Sequence, residues 1–219
     1  MKFPFTIEQF LEVFKNYNLA IWPMQIIAYI IGAIALILAV RKIWQSDRII
    51  SGILSFFWLW MGIVYHIMYF SSVNKPAYAF GTLFIIQGVL FVIAGVLRDK
   101  ISFNLRINIY SIVGGIFILY AMVIYPVIGY LLGHGYPNSP GFGVAPCPTT
   151  IFTFGLLLWT DKRLAKYLLI IPLIWSFIGF FAALKLGIRE DIGLLVAGLV
   201  GTIMIILKDR GDQVSDPQT

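Results

Sequence analysis

Two histidines and one cysteine are the residues of this chain whose types suit chemistry: His66, His134 and Cys147. An imidazole can act as a general base and a thiol as a nucleophile. Together the three offer the soft donors of an open transition-metal site, with Glu8 or Glu12 as carboxylate alternatives. Neither histidine stands in a ligand-spacing motif, and a single cysteine excludes an intrachain disulfide. Cys147 belongs to the run Pro146-Cys147-Pro148-Thr149-Thr150. Proline is favoured in the first helical turn and excluded from helix interiors, and Thr149 or Thr150 can cap the donors that a helix start leaves free. A helix therefore begins here, below a segment from Gly133 to Ala145 that carries no Asp, Glu, Lys or Arg. A helix start facing a cavity favours an anion, a carbonyl oxygen or a thiolate. Gln25, Tyr65, Asn74, Tyr125 and Tyr136 fall in the same half of the chain's layout as these residues. With His66, His134, Cys147, Thr149 and Thr150 they form the candidate pocket.

The elements that would position these residues follow from composition. Of 219 residues, 60% are hydrophobic and 12% charged, against about 25% charged in a soluble domain. The solvent for most of the chain is lipid. Seven apolar spans are predicted, near 19–40, 49–70, 77–97, 107–132, 147–160, 164–184 and 191–207, the fifth and seventh short for a crossing of about 20 residues. The fold class is an all-α polytopic membrane bundle. Residues 1–18 form an interfacial amphipathic helix, 19–207 the membrane domain and 208–219 a cytoplasmic tail without structure. In the first of these, Thr6 and Gln9 have capping-box spacing, and Phe5 with Phe10 fits a hydrophobic staple. Ile7, Phe10, Leu11, Phe14 and Tyr17 make its apolar face, which suits either an anchor on the membrane or a lid over the bundle's outer mouth.

The net charge of +6 does not point to nucleic acid, because the basic residues lie in short loops, where they set orientation. Eleven of the 16 Lys and Arg fall on one side of this layout, among them Arg41, Lys42, Arg48, Arg106, Lys162 and Lys208. That side is the cytoplasm by the positive-inside rule, with the N-terminus outside. All ten acidic residues lie outside the spans or at their ends, which argues against an ion-coupled pump or an intramembrane aspartyl protease. Gln87 is mid-span and needs a partner. Pro126 should kink the fourth span near its outer third.

Gly81, Gly88 and Gly95 recur every seven residues, and Gly193, Ala197 and Gly201 every four. Such faces let helix backbones approach closely, within the chain or between copies of it in a homo-oligomer. A faint internal echo pairs His66, Asn74-Lys75-Pro76 and Phe80-Gly81-Thr82-Leu83 with His134, Asn138-Ser139-Pro140 and Phe154-Gly155-Leu156-Leu157.

Several stretches resemble a bacterial family of uncharacterised multi-pass inner-membrane proteins. They are Glu8-Gln9-Phe10, Tyr17-Asn18 with Ile21-Trp22-Pro23, Trp60-Met61-Gly62 with Tyr65-His66, Gly133-His134-Gly135-Tyr136-Pro137, and the run from Pro146 to Gly155. The resemblance implies a whole-chain membrane domain and brings no activity. The function expected from the residues is a polar pocket near the outer face that binds or passes a small solute or a metal ion. A membrane-embedded enzyme using His and Cys, or a structural subunit, are the alternatives.

Overall fold

The structure, a computed structural model, describes residues 5–215, with side chains through Arg210. The chain is helical. α1 (Ile7–Ala20) is followed by α2 (Met24–Arg41), α3 (Ser46–Ser72), α4 (Ala77–Leu97) and α5 (Ile109–Leu131). Then come α6 (Pro146–Leu158), α7 (Tyr167–Leu186) and α8 (Ile192–Ser215), the last led in by a 3-10 turn at Arg189–Asp191. Six of these are long and apolar enough to cross a bilayer: α2, α3, α4, α5, α7 and the run Arg189–Arg210.

The seventh expected span, 147–160, is α6, with 13 residues. At 1.5 Å per residue it reaches about 20 Å, short of the roughly 30 Å hydrocarbon core. It survives because it meets no lipid. Every residue of α6 except Cys147 is buried, and it packs against α3, α5, α7 and α8 at the bundle's centre. The loop before it also runs inside the protein, its residues from Phe142 to Ala145 being buried. The tail also differs from expectation: α8 stays helical through Ser215, and residues 216–219 lie outside the described residues.

α1 forms as its capping signals predict. Thr6 accepts from the Gln9 backbone, the Gln9 side chain accepts from the Thr6 backbone, and Phe5 stacks on Phe10 at 5.9 Å. Its buried stripe is Val13, Phe14, Tyr17 and Asn18, while Ile7 is exposed, so the inward face is turned from the one expected. The Tyr17 hydroxyl donates to the Val144 carbonyl at 2.7 Å and accepts from Trp60 Nε1 at 2.8 Å. Burial raises its pKa well above the ordinary phenol value, partly offset by the Trp60 bond. Asn18 Nδ2 donates to the carbonyls of Pro137 and Ser139. α1 thus grips the loop that feeds α6.

Three of the long helices widen into π-helix, over Met61–Tyr69, Val92–Leu97 and Tyr120–Ile124. The last precedes Pro126, which has no N–H for the carbonyl of Met122. Tyr29 of α2 donates to that carbonyl at 2.8 Å, so the predicted kink is realised as a wide turn with a replacement donor. Gln87 Nε2 donates to the Leu168 carbonyl of α7. The glycine faces close seams within the chain. A Cβ on Gly81 would stand 2.8 Å from the Gly62 carbonyl, and one on Gly88 3.1 Å from that of Ser55. Gly193 faces Tyr120, and Gly201 faces Phe154.

At the end opposite α1, charged side chains form a ring. Lys42 reaches Asp47 at 3.4 Å and Asp161 at 3.6 Å, Arg48 holds Asp99 through two of its nitrogens, and Lys208 donates to the Thr160 carbonyl.

Candidate functional site

Beneath α1 lies a cavity of about 470 Å³. Phe5, Phe10 and Phe14 roof it, so α1 takes the lid position. Tyr65 and Phe70 from α3, Phe80 from α4, and Trp175 with Ile178 from α7 line its sides, Phe80 and Trp175 edge to face at 5.6 Å. Of the residues lining the cavity, Pro76, Phe181 and Lys185 are exposed. The mouth therefore opens at the surface between the start of α4 and the end of α7. Its floor is polar: Asp191, with Cys147 beside it. Cys147 Sγ and Trp175 Nε1 both lie over Gly179, where a Cβ would stand 3.6 and 3.5 Å from them.

Local structure explains how two carboxylates come to lie inside. α7 ends at Gly187, whose φ of 72° suits glycine alone at little cost. The next residue, Ile188, is buried and draws the short Arg189–Asp191 turn inward. Glu190 is fully buried and Asp191 is 5% exposed. Tyr125 donates to Asp191 Oδ1 at 2.6 Å, and Tyr120 to the Glu190 carbonyl at 2.6 Å. His134 Nδ1 stands 3.4 Å from Glu190 Oε1. His134 is aimed there by the end of α5. Gly133, at φ 89°, lets its own N–H reach the Tyr130 carbonyl and that of His134 reach Gly129, which is the Schellman arrangement.

The structure divides the sequence candidates. Tyr65, Asn74 and Cys147 line the cavity. Tyr125 stands behind its floor through Asp191, and His134 beyond that through Glu190. His66 lies behind the wall, wholly buried among rings, with Phe84 at 4.8 Å and Trp175 at 5.1 Å. Neither of its nitrogens has a hydrogen-bond partner. Gln25 donates to the Asn18 carbonyl, and Tyr136 lies on the surface against Trp22. Thr149 does not cap α6. Its hydroxyl accepts from Gly143 N and donates to the Ala145 carbonyl, while Thr150 Oγ1 is buried without a partner. The helix start is poor in donors: Pro146 and Pro148 have no N–H, and Ala145 N is bound by the Gly141 carbonyl. Of the first four donors only that of Cys147 is left, too few for the anion site expected there.

Among the described residues no group of three His, Cys, Asp or Glu side chains is arranged to hold a metal ion. His66 and Cys147 lie on the two sides of Trp175, and His134 lies against Glu190. Reading by sequence missed Glu190, Asp191 and Trp175. The signal for the first two was Ile188, an apolar residue directly before the charged run Arg189-Glu190-Asp191. Trp175 gave none, since an aromatic in an apolar span reads as packing.

The sequence model of a family of unknown function (DUF6064) matches residues 7–216. The chain belongs to that family. No curated protein and no solved structure matches it.

Proposed function

We propose that this member of a family of unknown function binds a small, largely apolar solute in the cavity beneath α1, at the outer face of a bacterial inner membrane. The observation that carries the reading is the cavity itself. Its walls are mostly aromatic and aliphatic, a carboxyl and a thiol meet on its floor, and its volume of about 470 Å³ lies in the usual range of small-molecule sites. Packing to interior density leaves few voids larger than water, so a cavity of this size with a buried carboxyl on its floor favours a ligand. The N-terminus is outside and the C-terminus cytoplasmic in this reading. The ring of Lys42, Arg48, Arg106 and Lys208 at the opposite end supports that orientation.

Ala182→Trp tests the site, since Ala182 lines the cavity and an indole there fills it. Purified protein in lipid nanodiscs is titrated with phenylbutanol, and binding is corrected for empty discs. Saturable binding to wild type, lost in Ala182→Trp with the unfolding temperature preserved, is the expected result. Absence of saturable binding to wild type, or equal binding to both proteins, overturns it.

A further inference from the structure

Which solute the cavity takes depends on what its floor lacks. We infer that the ligand is a lipophilic organic cation, a protonated amine or quaternary ammonium on an apolar body, with its charge held at Asp191; this rests on the solute-binding reading. The first observation is the state of Asp191. It is 5% exposed, lies on the cavity floor, and receives a hydrogen bond from the Tyr125 hydroxyl at 2.6 Å with the Cys147 thiol beside it. Among the described residues no basic side chain pairs with it. Glu190, next in the chain, has His134 at 3.4 Å. A buried carboxyl held by neutral donors alone is costly as an ion; it either keeps its proton or is completed by an opposite charge in good geometry. The cavity is the open side from which that charge can come.

The walls favour the same class. Tyr65, Phe70, Phe80 and Trp175 surround the space above the floor, and aromatic faces attract cations, tryptophan most strongly. Rings and a carboxylate together also repel anions. Among the described residues the basic side chain that lines the cavity is Lys185, exposed at the mouth. An anionic amphiphile would leave Asp191 unmatched.

The test compares three probes of one shape, phenylbutylammonium, phenylbutanol and phenylbutyrate, binding to the full chain in zwitterionic nanodiscs, each corrected for empty discs. The ammonium is expected to bind about tenfold or more tighter than the alcohol, with the carboxylate weakest. Asp191→Asn keeps a polar group for Tyr125 and should bring the ammonium to the level of the alcohol. Alcohol binding equal to that of the ammonium in wild type, or an ammonium preference that survives Asp191→Asn, overturns the cation assignment. If Asp191→Asn does not fold, the order of the three probes on wild type decides the matter by itself. The alcohol separates the two readings. Saturable alcohol binding without an ammonium preference overturns the cation alone, whereas no saturable binding by any probe overturns the solute site as well.

Discussion

At the scale of single residues, the loop before α6 is held by contacts that admit little change. Gly143 has a φ of 74°, and a Cβ there would stand 2.6 Å from that of Ala28. Left-handed backbone costs a non-glycine residue about 1–2 kcal/mol, and overpacking about 1–3 kcal/mol more. Gly143→Ala should therefore lower stability by at least about 2 kcal/mol, read as an earlier unfolding midpoint of the purified protein. An unchanged midpoint would show that the loop does not pass so close to α2. Tyr17→Phe removes one hydroxyl and leaves both the Val144 carbonyl and Trp60 Nε1 without their partner, a loss of about 1–3 kcal/mol. It should also speed proteolysis or hydrogen exchange across residues 138–145, where an inert effect would separate α1 from the loop. The dip of this loop was legible, because two prolines and an absence of charge have a direct steric and solvation meaning. The inward turn of Glu190 and Asp191 was not. Charges in a short connection look the same in sequence whether they face water or a cavity, and only tertiary partners such as Tyr125 distinguish them.

Elements were read well where the signal is local. Spans follow from hydropathy, and α1 follows from its capping box and staple. α6 was harder, since an apolar helix of 13 residues fits a short span and a buried core helix equally well by composition. What decides is the ring of helices around it, which no local pattern records. The faint echo in the sequence has a counterpart in packing. Gly62 meets the Gly81 carbonyl where α3 crosses α4, and Gly114 meets that of Gly155 where α5 crosses α6. Four residues beyond the first crossing, His66 Cβ lies near Gly81, and four beyond the second, Ile118 lies near Gly155. The packed equivalent of His66 is thus Ile118, and His134 has no such place. Gly155→Leu should be far more damaging than Gly52→Leu. Gly155 would press a side chain on the Gly114 carbonyl at 2.8 Å, whereas a Cβ on Gly52 meets nothing within 4 Å. Comparable unfolding temperatures for the two variants would remove the close crossing from the account.

For the whole molecule, the polarity between its two ends makes predictions about sidedness and pH. In a Cys147→Ala background, Asn138→Cys should react with a membrane-impermeant maleimide from outside the cell, and Lys162→Cys only after permeabilisation. Reaction of both from one side would contradict the positive-inside orientation. At the charged end, burial pushes the Asp161 carboxyl up, but Ser102, Asn104 and the charges of Lys42 and Arg106 outweigh it and hold its pKa below the ordinary value. A depressed carboxylate contributes stability above its unfolded pKa of about 3.9 and loses it as pH falls through the folded value. The difference in unfolding temperature between wild type and Asp161→Asn should thus be steady from about pH 7 to 5 and close below about 4. A difference independent of pH would mean that the charge of Asp161 does nothing there. The placement of the cavity mouth has a consequence for how such a protein would be supplied. Phe181, 59% exposed on an apolar helix, borders that mouth, so the phase in contact with it is the bilayer margin. Occupancy would then follow the amount of ligand dissolved in the leaflet, and the membrane becomes a reservoir that concentrates apolar compounds before they meet the protein. Apparent affinity referred to the water phase should rise with a compound's partition coefficient and fall as lipid is added at fixed total ligand, while affinity per mole of lipid stays constant.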